Sequence, residues 1–142
     1  SKFFEPGTEV LVAKTPFGNI GLMVCYDLRF PELALTLRQQ GANILTAPSA
    51  FTYTTGQMHW QLLLQARAMD TQCAVLGAAQ QGWHGEKRQT WGHTAATNSR
   101  GQVLDMVHAE GAQLITVDFD LNEQHKVRES MPLMQHRKLI QF

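Results

Sequence analysis

The run Ile20-Gly21-Leu22-Met23-Val24-Cys25-Tyr26-Asp27-Leu28-Arg29-Phe30-Pro31-Glu32 decides how the chain is read. Its first five residues are a short apolar strand, and Pro31 suits the first turn of a helix. Cys25 therefore stands where a strand gives way to a helical start. Backbone N–H groups and the helix dipole favour an anion at such a place, and the thiolate is the working form of a cysteine nucleophile. A small buried hydrophobe is the ordinary alternative for a free cysteine. The Tyr-Asp-Leu-Arg run beside the sulfur favours chemistry here. Cys73, at the entry to the apolar run 74–79, lacks charged neighbours of this kind and reads as core.

On the N-terminal side, Val10–Ala13, the turn cluster Thr15–Asn19 and the Ile20–Val24 run predict a hairpin over 9–24. On the other side, a helix runs from Pro31 to about Gln40, with Gly41 as its stop. Leu33, Ala34, Leu35 and Leu37 supply its apolar positions. Asn43–Thr46 reads as a buried strand, and Gln57–Gln72 as the clearest helix, with Trp60, Leu63, Leu64, Ala66 and Ala68 as core contacts. Ala74–Ala79 is a further strand, and Gln81–Gln89 is a surface loop by composition. Thr94–Thr97 and Val103–Met106 flank Asn98-Ser99-Arg100-Gly101 as a second hairpin. Leu114–Phe119 reads as a last strand, Leu121–Glu129 as a short helix, and Met131-Pro132-Leu133 opens an irregular tail. This alternation predicts an α/β (α+β) architecture with helices layered on sheet.

Bulk composition excludes several classes. The 142 residues, 44% hydrophobic, suffice for one compact domain. Twelve basic and twelve acidic side chains give zero net charge, without the basic footprint of a nucleic-acid binder. No apolar stretch approaches the roughly 20 residues that span a bilayer. The two cysteines make no disulfide framework, which points to a reducing, cytoplasmic setting. Six scattered histidines show no HxH or HExxH spacing, so neither a metal nor a cofactor is expected. Serine chemistry lacks its GxSxG elbow.

Asp27 and Arg29 lie close to the thiol in sequence. They read either as a local ion pair pinning the helix start or, for Arg29, as a bidentate grip on a substrate carboxylate.

Four blocks carry a family resemblance: Gly21–Leu33 around Cys25; Leu45–Phe51 with Thr55-Gly56; His59-Trp60 with Leu62–Asp70; and His84–Arg88 with Gly92-His93-Thr94. Together they resemble the carbon–nitrogen hydrolase (nitrilase) superfamily, most closely its Nit branch of amidases, and the similarity continues to Gln135-His136-Arg137. The family fold is a four-layer α-β-β-α sandwich. The resemblance implies that residues 1–142 are the C-terminal portion of such a domain, about half of it.

It further implies hydrolysis of an amide, namely an α-keto acid amide such as deaminated glutathione, through a thioester on Cys25. The backbone N–H of Tyr26 would hold the oxyanion, and Arg29, Phe51 and Thr55 are candidates for the substrate pocket. The family's general-base glutamate and oxyanion-stabilising lysine precede the nucleophile by more than the 24 residues present here. The bare chain is therefore expected to be weak or inactive, and a half-sandwich to exist as a homo-oligomer or paired with its missing N-terminal half. A non-catalytic half-domain acting through association is the alternative, as is a carbamoyl-amide or nitrile hydrolase.

Overall fold

A computed structural model describes residues 5–108 and 111–138. β1 (Val12–Thr15) and β2 (Gly18–Leu22) form the expected hairpin, paired from Val12↔Gly21 to Thr15↔Gly18. Gly18 takes a φ of 132°, which a side chain would rarely tolerate, and the Thr15 hydroxyl donates to its carbonyl at 2.6 Å. After a short 3-10 turn at Cys25–Arg29, α1 (Pro31–Gln39) begins on its proline. It stops at Gly41, whose φ is 96° and whose N–H returns to the Arg38 carbonyl.

β3 (Ile44–Thr46), α2 (Tyr53–Thr71) and β4 (Ala74–Gly77) complete two successive β-α-β crossovers. β3 lies parallel to β2 on one side and to β4 on the other. β7 (Ala95–Thr97) and β8 (Val103–Met106) extend the sheet antiparallel, giving the order β1-β2-β3-β4-β7-β8. β5 (Gln81–His84) and β6 (Arg88–Trp91) pair only with each other. α3 (Leu121–Ser130) starts on Asp120, whose carboxylate accepts the Asn122 N–H, and α4 (Leu133–His136) follows.

Both long helices lie on one face of the sheet: α1 over β2, and α2 over β4 and β7. Glycines set how close they come. A Cβ on Gly21 would stand 2.8 Å from Leu45, and one on Gly77 would stand 2.6 Å from the Trp60 ring. Leu37, Leu45, Trp60, Leu64 and Val75 fill the layer between and are essentially sealed. On the opposite face Leu22, Thr46 and Leu76 share a rung, and Leu22 is 43% exposed.

Four expectations need correction. Leu114–Phe119 forms no strand: Leu114 is 91% exposed, and no ladder partner runs beside the segment among the described residues. Residues 81–89 are not a loop but most of the β5–β6 hairpin, whose tip from Trp83 to Arg88 is exposed while Thr90, nearer its base, is buried. α2 begins four residues earlier than its apolar pattern indicates, and the tail holds one helical turn, α4. Within α2, Trp60, Leu64 and Ala68 are buried as expected, Leu63 and Ala66 are half-buried, and the charged Arg67 is buried as well.

Candidate active site

β2 ends at Leu22, and three backbone contacts then steer the chain. The Met23 N–H donates to the Thr46 carbonyl and the Cys25 N–H to the Pro48 carbonyl, both at 3.0 Å. The Asp27 carboxylate accepts the Val24 N–H at 2.8 Å. Held between these bonds, Cys25 adopts a φ of 48°, left-handed for a residue with a side chain. Such a conformation costs on the order of 1 kcal/mol and persists where the surroundings fix it. The result is a sharp strand-to-helix bend with the thiol at its apex. The helix that Cys25 opens is the short 3-10 turn, since α1 proper starts six residues later at Pro31.

Cys25 is half-buried and lines a cleft of about 550 Å³. One wall is Pro48-Ser49-Ala50, following β3, and the other is Ala78-Ala79-Gln80, following β4. These segments continue the parallel ladder: the Ser49 N–H donates to the Ala78 carbonyl at 2.8 Å and the Gln80 N–H to the Ser49 carbonyl at 2.9 Å. Thr94 closes the side, its hydroxyl accepting the Ala79 N–H at 2.9 Å. The cleft thus sits beyond the carboxyl ends of parallel strands, where open α/β sheets bind ligands. Cys73 differs in every respect. It is fully buried, its thiol donates to the Ala42 carbonyl at 3.3 Å, and burial pushes its pKa up.

The other expected site residues fall in two places. Tyr26 follows the sulfur in the first turn of the 3-10 helix, where backbone donors lack an intrahelical acceptor, while its ring is exposed. Arg29 turns toward α2. Its two terminal nitrogens both donate to His59 Nδ1 at 3.3 Å, and its guanidinium rests over the rings of Phe51 at 5.5 Å and Tyr26 at 5.6 Å. Arginine offers no acceptor, so the neutral His59 ring carries its proton on Nε2. Phe51 is a core residue, edge-on to Trp60 at 5.3 Å, and Thr55 is half-buried in the first turn of α2. Arg29, Phe51 and His59 therefore form a cluster apart from the walls of the Cys25 cleft. Asp27 and Arg29 do not pair with each other: one holds Val24 and the other His59.

The cleft walls bear no carboxylate and no ammonium among the described residues, so the thiol is the chemically reactive side chain present. Pro48 and Ala50 lie in a block that carries the family resemblance, but neither they nor Ala78 and Ala79 stand out as site residues in the sequence, because their side chains carry no chemical signal. Their one legible trait is a position just past the ends of parallel strands. No group of three or more potential metal ligands occurs among the described residues.

A parallel-sheet α/β unit with a thiol on a bent strand-to-helix junction defines a cysteine-bearing α/β fold. The carbon–nitrogen hydrolase family model matches residues 1–129, and the chain belongs to that family. It is 43% identical over 140 residues to a deaminated glutathione amidase from Yersinia enterocolitica, covering 99% of this chain and 49% of that protein. The crystal structure of the C. elegans NitFhit protein superposes with a TM-score of 0.89 at 42% identity, over 97% of this chain and 34% of that one. Saccharomyces cerevisiae Nit3, a member of branch 10 of the nitrilase superfamily, superposes with a TM-score of 0.88 at 32% identity, over 97% and 51%. The chain spans about half the length, or less, of the relatives it matches.

Proposed function

We propose that this chain is the nucleophile-bearing, C-terminal half of a thiol amidase domain. The observation that carries the reading is Cys25, placed by a bent backbone at the mouth of a cleft while the second cysteine is sealed. In the proposed reaction the Cys25 sulfur bonds to the amide carbonyl carbon. The C–N bond then breaks, and ammonia leaves with the proton surrendered by the thiol. Water cleaves the resulting thioester, releasing a carboxylic acid and restoring the thiol. The Tyr26 N–H stabilises the oxyanion at each tetrahedral stage. The names of the relatives favour an α-keto acid amide such as deaminated glutathione as substrate. Arg29 remains the candidate for its carboxylate, on condition that it leaves His59, with Phe51 and Thr55 behind it.

General base and oxyanion cation are absent from the cleft walls, so the reading assigns a glutamate and a lysine to polypeptide beyond this chain. The partly exposed sheet face around Leu22 suits docking of that N-terminal half, or of a second copy.

The test is alkylation by iodoacetamide with peptide mapping, alongside turnover of an α-keto amide. Cys25 reacts in the folded chain, whereas Cys73 reacts only after opening. At the low end of domain stability, about 5 kcal/mol, that separates the two rates by roughly three to four orders of magnitude. Turnover by the bare chain is expected to be weak. Equal, slow labelling of both thiols would overturn the nucleophile assignment. Turnover at the rate of a full-length relative would overturn the assignment of base and lysine to a missing half.

A further inference from the structure

A second cleft, of about 470 Å³, opens at the other end of the parallel strands. Arg38, in the last turn of α1, and Arg128, in the last turn of α3, both line it. Arg128 Nε donates to the Gln72 carbonyl at 3.1 Å, and its Nη2 reaches the Ala42 carbonyl at 3.2 Å and the Cys73 sulfur at 3.4 Å. Arg38 Nε donates to the Thr71 carbonyl at 3.1 Å. Ala42, Gln72 and Cys73 immediately precede β3 and β4, whereas Cys25 and its walls follow the carboxyl ends of β2, β3 and β4.

Carbonyls at helix and loop ends account for one edge of each guanidinium. They do not supply a negative charge, and the Cys73 thiol is held toward its protonated form by burial. Among the described residues neither arginine meets a carboxylate. Glu129 also lines this cleft, but its carboxylate is engaged by His125 Nε2 at 3.2 Å on the exposed side of α3. Desolvation lowers the pKa of Arg128; Cys73 opposes that shift, and the neighbouring charge of Arg38 adds a smaller push in the lowering direction. Two cations share a roomy cleft whose carboxylate among the described residues, Glu129, is taken up by His125, and a ligand that supplies negative charge completes them.

We propose that this cleft binds a small dianionic oxyanion, a phosphate or a short dicarboxylate, held between Arg38 and Arg128. The site is separate from the Cys25 cleft and does not depend on the amidase reading. Guanidinium forks match planar and tetrahedral oxyanions bidentately, so lysine is a poor substitute at either position.

Titration calorimetry on the 142-residue chain, with sodium phosphate and sodium glutarate as separate probes and sodium chloride as the ionic-strength control, tests this. One saturable site per chain is expected for at least one probe, and which probe saturates separates a phosphate ligand from a carboxylate one. Arg38→Gln, at a half-exposed position that leaves the fold intact, weakens binding by roughly tenfold or more, and Arg38→Lys recovers a fraction of it. Carboxamidomethylation of Cys25 leaves binding unchanged. Three results would each overturn the proposal: no saturation by either probe up to about 10 mM, affinity untouched by Arg38→Gln, or binding lost on alkylating Cys25.

Discussion

Substituting Gly77 by alanine tests whether the α2–sheet contact is as tight as the structure draws it. The new Cβ would stand 2.6 and 2.8 Å from Trp60 Cζ2 and Cη2, and 3.0 Å from Leu64 Cδ2. Favourable carbon–carbon separations are about 3.5–4.0 Å, so the indole has to retreat by roughly 1 Å. It is poorly placed to do so. Its Nε1–H is held by the His93 carbonyl at 2.6 Å, its edge meets Phe51 at 5.3 Å, and it is 1% exposed. Overpacking of this kind costs about 1–3 kcal/mol, and the upper end applies because the ring is fixed. Gly77 does not have a positive φ, so alanine recovers about 0.5–1 kcal/mol by restricting the unfolded chain. The net expectation is a destabilisation of about 2 kcal/mol, read by far-UV circular dichroism as a fall of about 1 M in the urea midpoint.

Trp60→Phe removes both crowded ring carbons, so the double variant should show a coupling of about 1–2 kcal/mol in favour of the pair. Gly7→Ala, with nothing within 4 Å, is the silent control. A Gly77→Ala protein within about 0.5 kcal/mol of the parent, or strictly additive substitutions, would refute the reasoning.

Thr94→Val keeps the shape of the cleft wall but orphans the Ala79 N–H. It should cost about 1–2 kcal/mol and speed hydrogen exchange at Ala79, while Thr94→Ser stays close to the parent; unchanged exchange in the valine variant would count against the bond. Cys73 gives a pH signature. Its pKa is raised in the folded chain, so the unfolded chain releases that proton first and stability falls as pH climbs from about 9. The slope has a ceiling of about 1.4 kcal/mol per pH unit, and Cys73→Ala should flatten it in paired urea titrations at pH 8 and 10. An identical slope in both proteins would exclude Cys73 as its source.

Much of the fold is legible because the deciding stretch has strong local punctuation. Pro31 starts α1, Gly41 ends it, and Thr15–Asn19 turns the first hairpin; each acts through φ restriction that needs no tertiary help. Where context decides, the pattern misleads. Leu114–Phe119 has a strand's composition, yet a strand exists only through its neighbour, and none lies alongside among the described residues. The 81–91 hairpin hides behind polar residues because its tip is solvated and its buried strand residue, Thr90, is itself polar. Cys25 was legible from its charged surroundings, but its positive φ was not, since the bonds that impose it come from Thr46, Pro48 and Asp27. Arg29 shows the same limit. Its sequence neighbour Asp27 suggested an ion pair, while its true partner, His59, is 30 positions away.

The residues that line the cleft beside Cys25 are mostly small, Pro48, Ser49, Ala50, Ala78, Ala79 and Thr94 among them. Truncation mutagenesis has little to remove there, so a conventional alanine scan would pass over most of this lining in silence. A test of the proposed amidase cleft therefore adds bulk rather than removing it, and enlargement at residues 78 and 79 is the informative experiment.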